Sequence, residues 1–185
     1  MFTREEKKYL IGVARHALEE EIAGGSSLPV PVRPSASEHL AQKSGAFVTL
    51  MEGSELRGCL GLLSADAPLP ETIAEMARRA ATEDPRFDPV TAQELGRLSI
   101  ELSILSPFTP IAGPSEIQIG RDGLLVTQGR RRGLLLPQVA ERYHFTPEEF
   151  LEETCLKAGL PRAAWKMEET SLFSFRADVI EEEET

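Results

Sequence analysis

In the stretch SELRGCLGLL, residues 54–63, a guanidinium and a thiol stand two positions apart, Arg57 and Cys59, and Gly58 and Gly61 remove side-chain bulk around the sulfur. Alternate side chains of an extended strand share a face, so this spacing predicts Arg57 and Cys59 side by side, about 7 Å apart, with Leu56 and Leu60 turned into the core. A cation at that range lowers the pKa of a thiol and favours the thiolate, the form that acts as a nucleophile or metal ligand. Gly58 and Gly61 would let a ligand approach the backbone closely. Packing is the competing account: a free cysteine behaves as a small hydrophobe, and glycines often mark bulges.

The second group of candidates lies in TEDPRFDPVT, residues 82–91, where Asp84, Arg86 and Asp88 alternate through a loop pinned by two prolines. Rigid loops of this kind position ligand-binding groups. Folded over the 54–63 strand, the loop would bring Asp84 and Arg86 to Arg57. Alternatively Asp84 and Asp88 only turn the backbone while Phe87 plugs the core. Glu101, between Ser99 and Ser103 in LSIELSILSP, is a candidate proton acceptor, because a carboxylate on a covered sheet face is held more basic than usual. On an uncovered face it is an ordinary solvated acid.

Other reactive types are less organised. Arg130, Arg131 and Arg132 form the one basic cluster, suited to a phosphate-bearing partner or to a charged hairpin tip. Cys155 and Trp165 fit packing positions. His16, His39 and His144 are scattered, and paired-cysteine zinc spacing, phosphate-cradling loops and dinucleotide fingerprints are absent, so the sequence assigns no metal and no cofactor.

These residues need a scaffold, and 185 residues suffice for one domain over positions 1–185. Thirty acidic against twenty basic side chains, a net charge of −10, repel polyanions and disfavour nucleic-acid binding. Two cysteines are too few for a disulfide framework, so a reducing compartment, the cytoplasm, is expected. The N-terminus lacks a secretory pattern, and no apolar run is long enough to span a bilayer, so no membrane insertion is expected.

The pattern predicts a helix over 3–23 opened by a Thr3/Glu6 capping box, then a proline-pinned strap over 24–34. It predicts strands over 46–51 and 55–62, a helix over 70–82, and a strand over 98–104 with one face covered. Further strands are expected around Arg121-Asp122-Gly123, with a turn at 129–133, then helices from Pro137 and Thr146 and one closing strand from Ser171. Strands grouped apart from helices predict an α+β fold, a meander of antiparallel strands flanked by helices.

ELRGCLG, together with GAFVTL, DPRFDP, ELSILSP, GLLLPQVA and FLEETCLKAGL, resembles the AMMECR domain family, whose signature is L-R-G-C-I-G; here Leu60 replaces the isoleucine. The similarity spans nearly the whole chain, and the C-terminal motifs are similar to prokaryotic members called AmmeMemoRadiSam system protein A. The resemblance implies an α+β fold with a larger and a smaller lobe and a cleft lined by the signature. It also implies a pathway or complex shared with a Memo-like protein and a radical-SAM protein. This chain lacks the three-cysteine cluster motif of a radical enzyme, so radical chemistry would belong to a partner.

Two functional accounts stand at this point. In the first, an enzyme or enzyme component uses Cys59 as its reactive group, Arg57 to tune it or hold an anion, and Arg86 and Glu101 to complete the cleft. In the second, a non-catalytic module captures a small anionic ligand through Arg57, or docks those protein partners, and Cys59 only supplies a small side chain.

Overall fold

Thr3 opens the first helix as the sequence predicts. Its hydroxyl accepts from Glu6 N–H at 3.2 Å and its own N–H donates to the Glu6 carboxylate at 2.7 Å, a complete capping box. Helix α1, Arg4–Ala23, buries Leu10, Ala14, Ala17 and Leu18 at helical spacing and stops at Gly24. The computed structural model describes residues 2–25, 29–34 and 37–183. Residues 29–34 of the expected strap run without regular secondary structure, with Pro31 against Gly12 of α1; residues 26–28 lie outside the described residues.

The chain divides into two compact units, residues 1–105 with 178–185, and residues 106–177. The larger unit holds β1, Ala46–Glu52, and β2, Glu55–Leu62, a hairpin closed by Gly53-Ser54. Helix α2, Leu69–Thr82, follows, then β3, Leu98–Leu105, and after the excursion through the second unit, β8, Ala177–Glu181. The strands form a sheet in the order β2-β1-β3-β8, with β1 antiparallel to both β2 and β3. One face, with Val48, Leu50, Ile100 and Leu102, joins Leu10 and Leu18 of α1 and Ile73, Met76 and Ala77 of α2 in a single core.

The smaller unit contains β4, Thr109–Pro110, β5, Gly123–Gln128, β6, Arg131–Leu135, and β7, Ser171–Phe175, in the order β4-β7-β5-β6. Helices α3, Pro137–Arg142, and α4, Pro147–Lys157, accompany this sheet. Thr146 and Glu149 repeat the capping box at the start of α4. Phe150, Leu151 and Cys155 of α4 pack with Leu124 and Val126 of β5, Leu160 and Leu172. Cys155 is therefore a core side chain, and burial pushes its thiol pKa up.

The class is α+β, but the strands are shared between two sheets rather than strung in one continuous meander. Two local expectations also change. Of the strands expected around Arg121-Asp122-Gly123 only the one that follows forms, and the buried Asp122 carboxylate accepts from Gln118 N–H at 2.9 Å and from the Arg121 guanidinium, fixing the turn that precedes β5. The closing strand breaks at Arg176, whose N–H donates to Ser106 Oγ while Ser106 N–H donates to the Arg176 carbonyl, both at 2.8 Å. These reciprocal bonds join the place where the chain enters the second unit to the place where it leaves.

Glu6 does more than cap α1. Ser37 Oγ also donates to it, His39 Nδ1 lies 3.4 Å away, and these bonds, the serine's above all, bring its pKa down from 4.5 to about 2. A carboxyl more acidic in the folded than in the unfolded chain contributes stability above pH 4.5 and loses it as pH falls toward 2. Urea unfolding followed against pH should therefore show Glu6→Gln losing less stability than the parent protein across that window.

Candidate functional site

Strand β2 lies at the edge of its sheet, so the Cys59 N–H and carbonyl point away from β1, and exposed backbone groups of this kind invite unwanted strand pairing. The loop after α2 occupies them. Asp84 Oδ2 accepts from Cys59 N–H at 2.8 Å, and Arg86 Nη2 donates to the Cys59 carbonyl at 3.4 Å. The two loop residues also bind each other, Arg86 Nε to Asp84 Oδ1 at 2.9 Å and Arg86 Nη2 to Asp84 Oδ2 at 2.7 Å. Asp84 is only 5% exposed, and the Arg86 guanidinium holds its carboxyl well below the usual aspartate range. The loop 84–89 therefore does meet the strand carrying the thiol, and Asp84 and Arg86 grip the peptide on which Cys59 stands.

Arg57 behaves differently from its sequence reading. Gly58 lies opposite Leu50 and Leu56 opposite Met51, so Arg57 has no residue across from it and forms a bulge. The bulge breaks the two-residue alternation: Leu56 is 37% exposed instead of buried, while Leu60 packs on the core. The Arg57 guanidinium reaches the Asp88 carbonyl at 2.9 Å and Glu94 Oε1 at 2.7 Å. Arg57 and Thr91 together hold Glu94 at a pKa of about 2, with Arg57 the larger influence. The cation bonded to the Cys59 peptide is Arg86, and Arg57 instead anchors the loop from 88 to 94.

The glycines have packing reasons. A Cβ on Gly58 would sit 2.3 Å from the Ala80 carbonyl oxygen of α2, and one on Gly61 would strike the Phe47 ring at 2.4 Å. The bare backbone expected to admit a ligand admits a helix and an aromatic ring instead. Phe87, expected as a possible core plug, is half-buried and stands beside both guanidinium groups, with Cζ of Arg57 and Arg86 at 6.0 and 5.4 Å from its ring centre.

The reactive types meet on the other face of the sheet. Thr49 lies directly opposite Cys59 on one side and Glu101 on the other, which puts thiol, hydroxyl and carboxyl in one row across β2, β1 and β3. Thr49 Oγ1 donates to Cys59 Sγ at 3.4 Å, and the thiol is half-buried, not sealed in the core. Two strand spacings put Cys59 and Glu101 about 10 Å apart. Burial, and secondarily the negative charge of Glu181 on β8, push the Glu101 carboxyl pKa up. Ser103, on the same face, is buried, and its hydroxyl has no partner among the described residues. No group of three or more histidine, cysteine or acidic side chains placed to hold a metal occurs among the described residues.

Sequence reasoning missed Thr49 and Glu94. Counting outward from the Gly53-Ser54 turn pairs Cys59 with Val48, and only the bulge at Arg57 brings Thr49 opposite the thiol. Nothing local marks Glu94, which meets Arg57 from 37 positions away.

Because ionised Glu101 is disfavoured in the folded chain, its charge costs stability above its raised pKa, and protonation relieves that cost as pH falls. Glu101→Gln should raise the thermal midpoint at pH 7, and the gain should shrink toward pH 4 in scanning calorimetry.

The chain is thus a two-unit α+β protein whose edge-strand thiol is clamped by a downstream loop. The AMMECR1 family model matches residues 11–180, and the chain belongs to that family. A protein of Methanothermobacter thermautotrophicus is 41% identical over 187 residues, covering 98% of this chain and 96% of its own. Protein MJ0810 of Methanocaldococcus jannaschii is 41% identical over 192 residues, covering all of this chain and 94% of its own. The crystal structure titled uncharacterized protein PH0010, from Pyrococcus horikoshii, is similar with a TM-score of 0.84 and 40% identity, over 95% of this chain and 90% of that one. Among the described residues no helix is long and apolar enough to cross a membrane.

Proposed function

We propose that Cys59 is the reactive thiol of an enzyme or enzyme component, working on a substrate laid along the Cys59-Thr49-Glu101 row. The observation that carries this reading is the treatment of the thiol: its peptide is gripped on both polar atoms by Asp84 and Arg86, and its sulfur accepts a hydrogen bond from Thr49. The thiolate is the nucleophilic form of a cysteine, and a hydroxyl that donates to the sulfur is placed to steady it. Glu101, more basic than an ordinary carboxylate, stands too far from the sulfur to take its proton directly, so its role is proton transfer on the substrate. A shared pathway with Memo-like and radical-SAM proteins rests on the resemblance of the C-terminal motifs.

Capture of an anion by Arg57 without chemistry is the weaker reading, because Glu94 already neutralises that guanidinium. The rate of Cys59 alkylation against pH tests the proposal. Alkylation several-fold faster than that of a free thiol at the same pH, and slowed in Thr49→Val, is expected; a rate no faster than a free thiol's removes the nucleophile. Cys59→Ser should abolish any activity found, and full activity in that variant would turn the assignment toward binding.

A further inference from the structure

The smaller unit carries a hollow that the Cys59 site does not use. It has a volume of about 450 Å³ and is lined by Leu135, Val139, Tyr143, Phe145, Leu156 and, on α4, Glu153 and Lys157. That volume lies within the range of about 300 to 1,000 Å³ that small-molecule sites occupy.

One wall is built rather than left over. At the end of α3 the chain turns through His144 at φ 54, a left-handed conformation uncommon outside glycine. The turn is held by His144 N–H to the Glu141 carbonyl at 3.2 Å and Phe145 N–H to the Ala140 carbonyl at 3.0 Å. It brings Tyr143 and Phe145 into a stack with ring centres 5.5 Å apart and planes 17° from parallel. Tyr143 is nevertheless 62% exposed and Leu156 42%, so large apolar surface at the hollow stays open to solvent.

The charges at its rim do not cancel. Glu153 and Lys157 are four apart on α4, a spacing at which they would ordinarily pair. Glu153 instead binds Arg162 Nη1 at 2.6 Å, and Glu152 reaches the same nitrogen at 3.6 Å. Lys157 is left without an ion-pair partner among the described residues, beside an apolar floor. An occupant that matches both features carries one negative charge on an apolar body.

We propose that this hollow binds a small apolar carboxylate, such as an aryl- or alkyl-substituted short-chain acid, with its apolar body between the Tyr143/Phe145 stack and Leu156 and its carboxylate on Lys157. The residues are separate from those of the Cys59 row, so the two proposals stand or fall independently.

The probes are 3-phenylpropionate and its uncharged amide, titrated into the full chain and followed by amide chemical shifts. Acid-induced shifts should cluster at residues 135–157, with a dissociation constant at least fivefold lower for the acid than for the amide. Lys157→Gln should remove that preference and leave amide binding unchanged; Tyr143→Ala should weaken both probes. Parent spectra outside the hollow, recorded for each variant, verify its fold. Equal affinity for acid and amide, shifts confined to the Cys59 strand, or no shifts at millimolar probe overturn the proposal. So does sedimentation showing a dimer that Leu156→Glu dissociates and the acid does not, since the hollow would then be covered by a second copy.

Discussion

Asp84→Ala is expected to lower the unfolding free energy by about 3 kcal/mol, because it strands the Cys59 N–H and releases Arg86 from its buried partner. The carboxylate is nearly inaccessible, whereas the side chain of Arg86 is 54% exposed. Arg86→Ala should therefore cost less than Asp84→Ala, since the guanidinium is already largely hydrated and discounts the pair's strength. The measurement is the urea midpoint of each variant. Equal small losses in the two would show that the clamp contributes little and that some other contact fixes the loop. If the clamp also sets the thiol, Asp84→Asn, which keeps the shape but removes the charge, should move the pH profile of Cys59 alkylation more than it moves stability.

The second large effect is expected from Gly58→Ala. A methyl group there meets the Ala80 carbonyl oxygen at 2.3 Å, and that oxygen belongs to the backbone of α2, which cannot swing aside as a side chain would. Either α2 lifts from the sheet or β2 shifts at its bulge, and overpacking of this kind costs about 3 kcal/mol. For a chain of this length that corresponds to a fall of roughly 10 °C in the thermal midpoint. Gly96→Ala is the control: nothing lies within 4 Å of the added carbon, so its midpoint should hardly change. A Gly58→Ala protein as stable as the parent would mean that the helix and strand are less closely apposed than their backbone atoms indicate. The two predictions concern one construction. Gly58 lets α2 lie tight on the hairpin, and the loop leaving α2 thereby arrives within reach of the Cys59 peptide.

Much of this was legible in the residues themselves. The Thr3/Glu6 and Thr146/Glu149 boxes mark their helices because a capping box is satisfied within four residues. The strand bounds 55–62 agree with β2, and the family read from the residues is the one whose model matches residues 11–180. What local pattern could not supply was direction. Leu56 and Arg57 obey strict alternation only in an unbulged strand, and the bulge arises from pairing with β1. Arg57 therefore looked like the partner of the thiol, when Glu94 and the carbonyls of the 88–89 segment claim it. Ser171 to Ile180 similarly looked like one strand, because nothing in its own residues records that Ser106 binds Arg176 and divides it between two sheets.

The sequence alone determined the elements and the reactive types: a thiol between glycines, an acid on a polar strand face, a loop of alternating charge. Each depends on hydrogen bonds and periodicities spanning a few residues, which a one-dimensional pattern records. Only the tertiary structure decided which cation meets the thiol, that Thr49 joins Cys59 and Glu101 in one row, and that glycines 58 and 61 serve packing. Those outcomes turn on strand register and on partners up to 52 positions apart, such as Thr49 and Glu101, and register is an energy minimum of the assembled sheet rather than a property of any one segment.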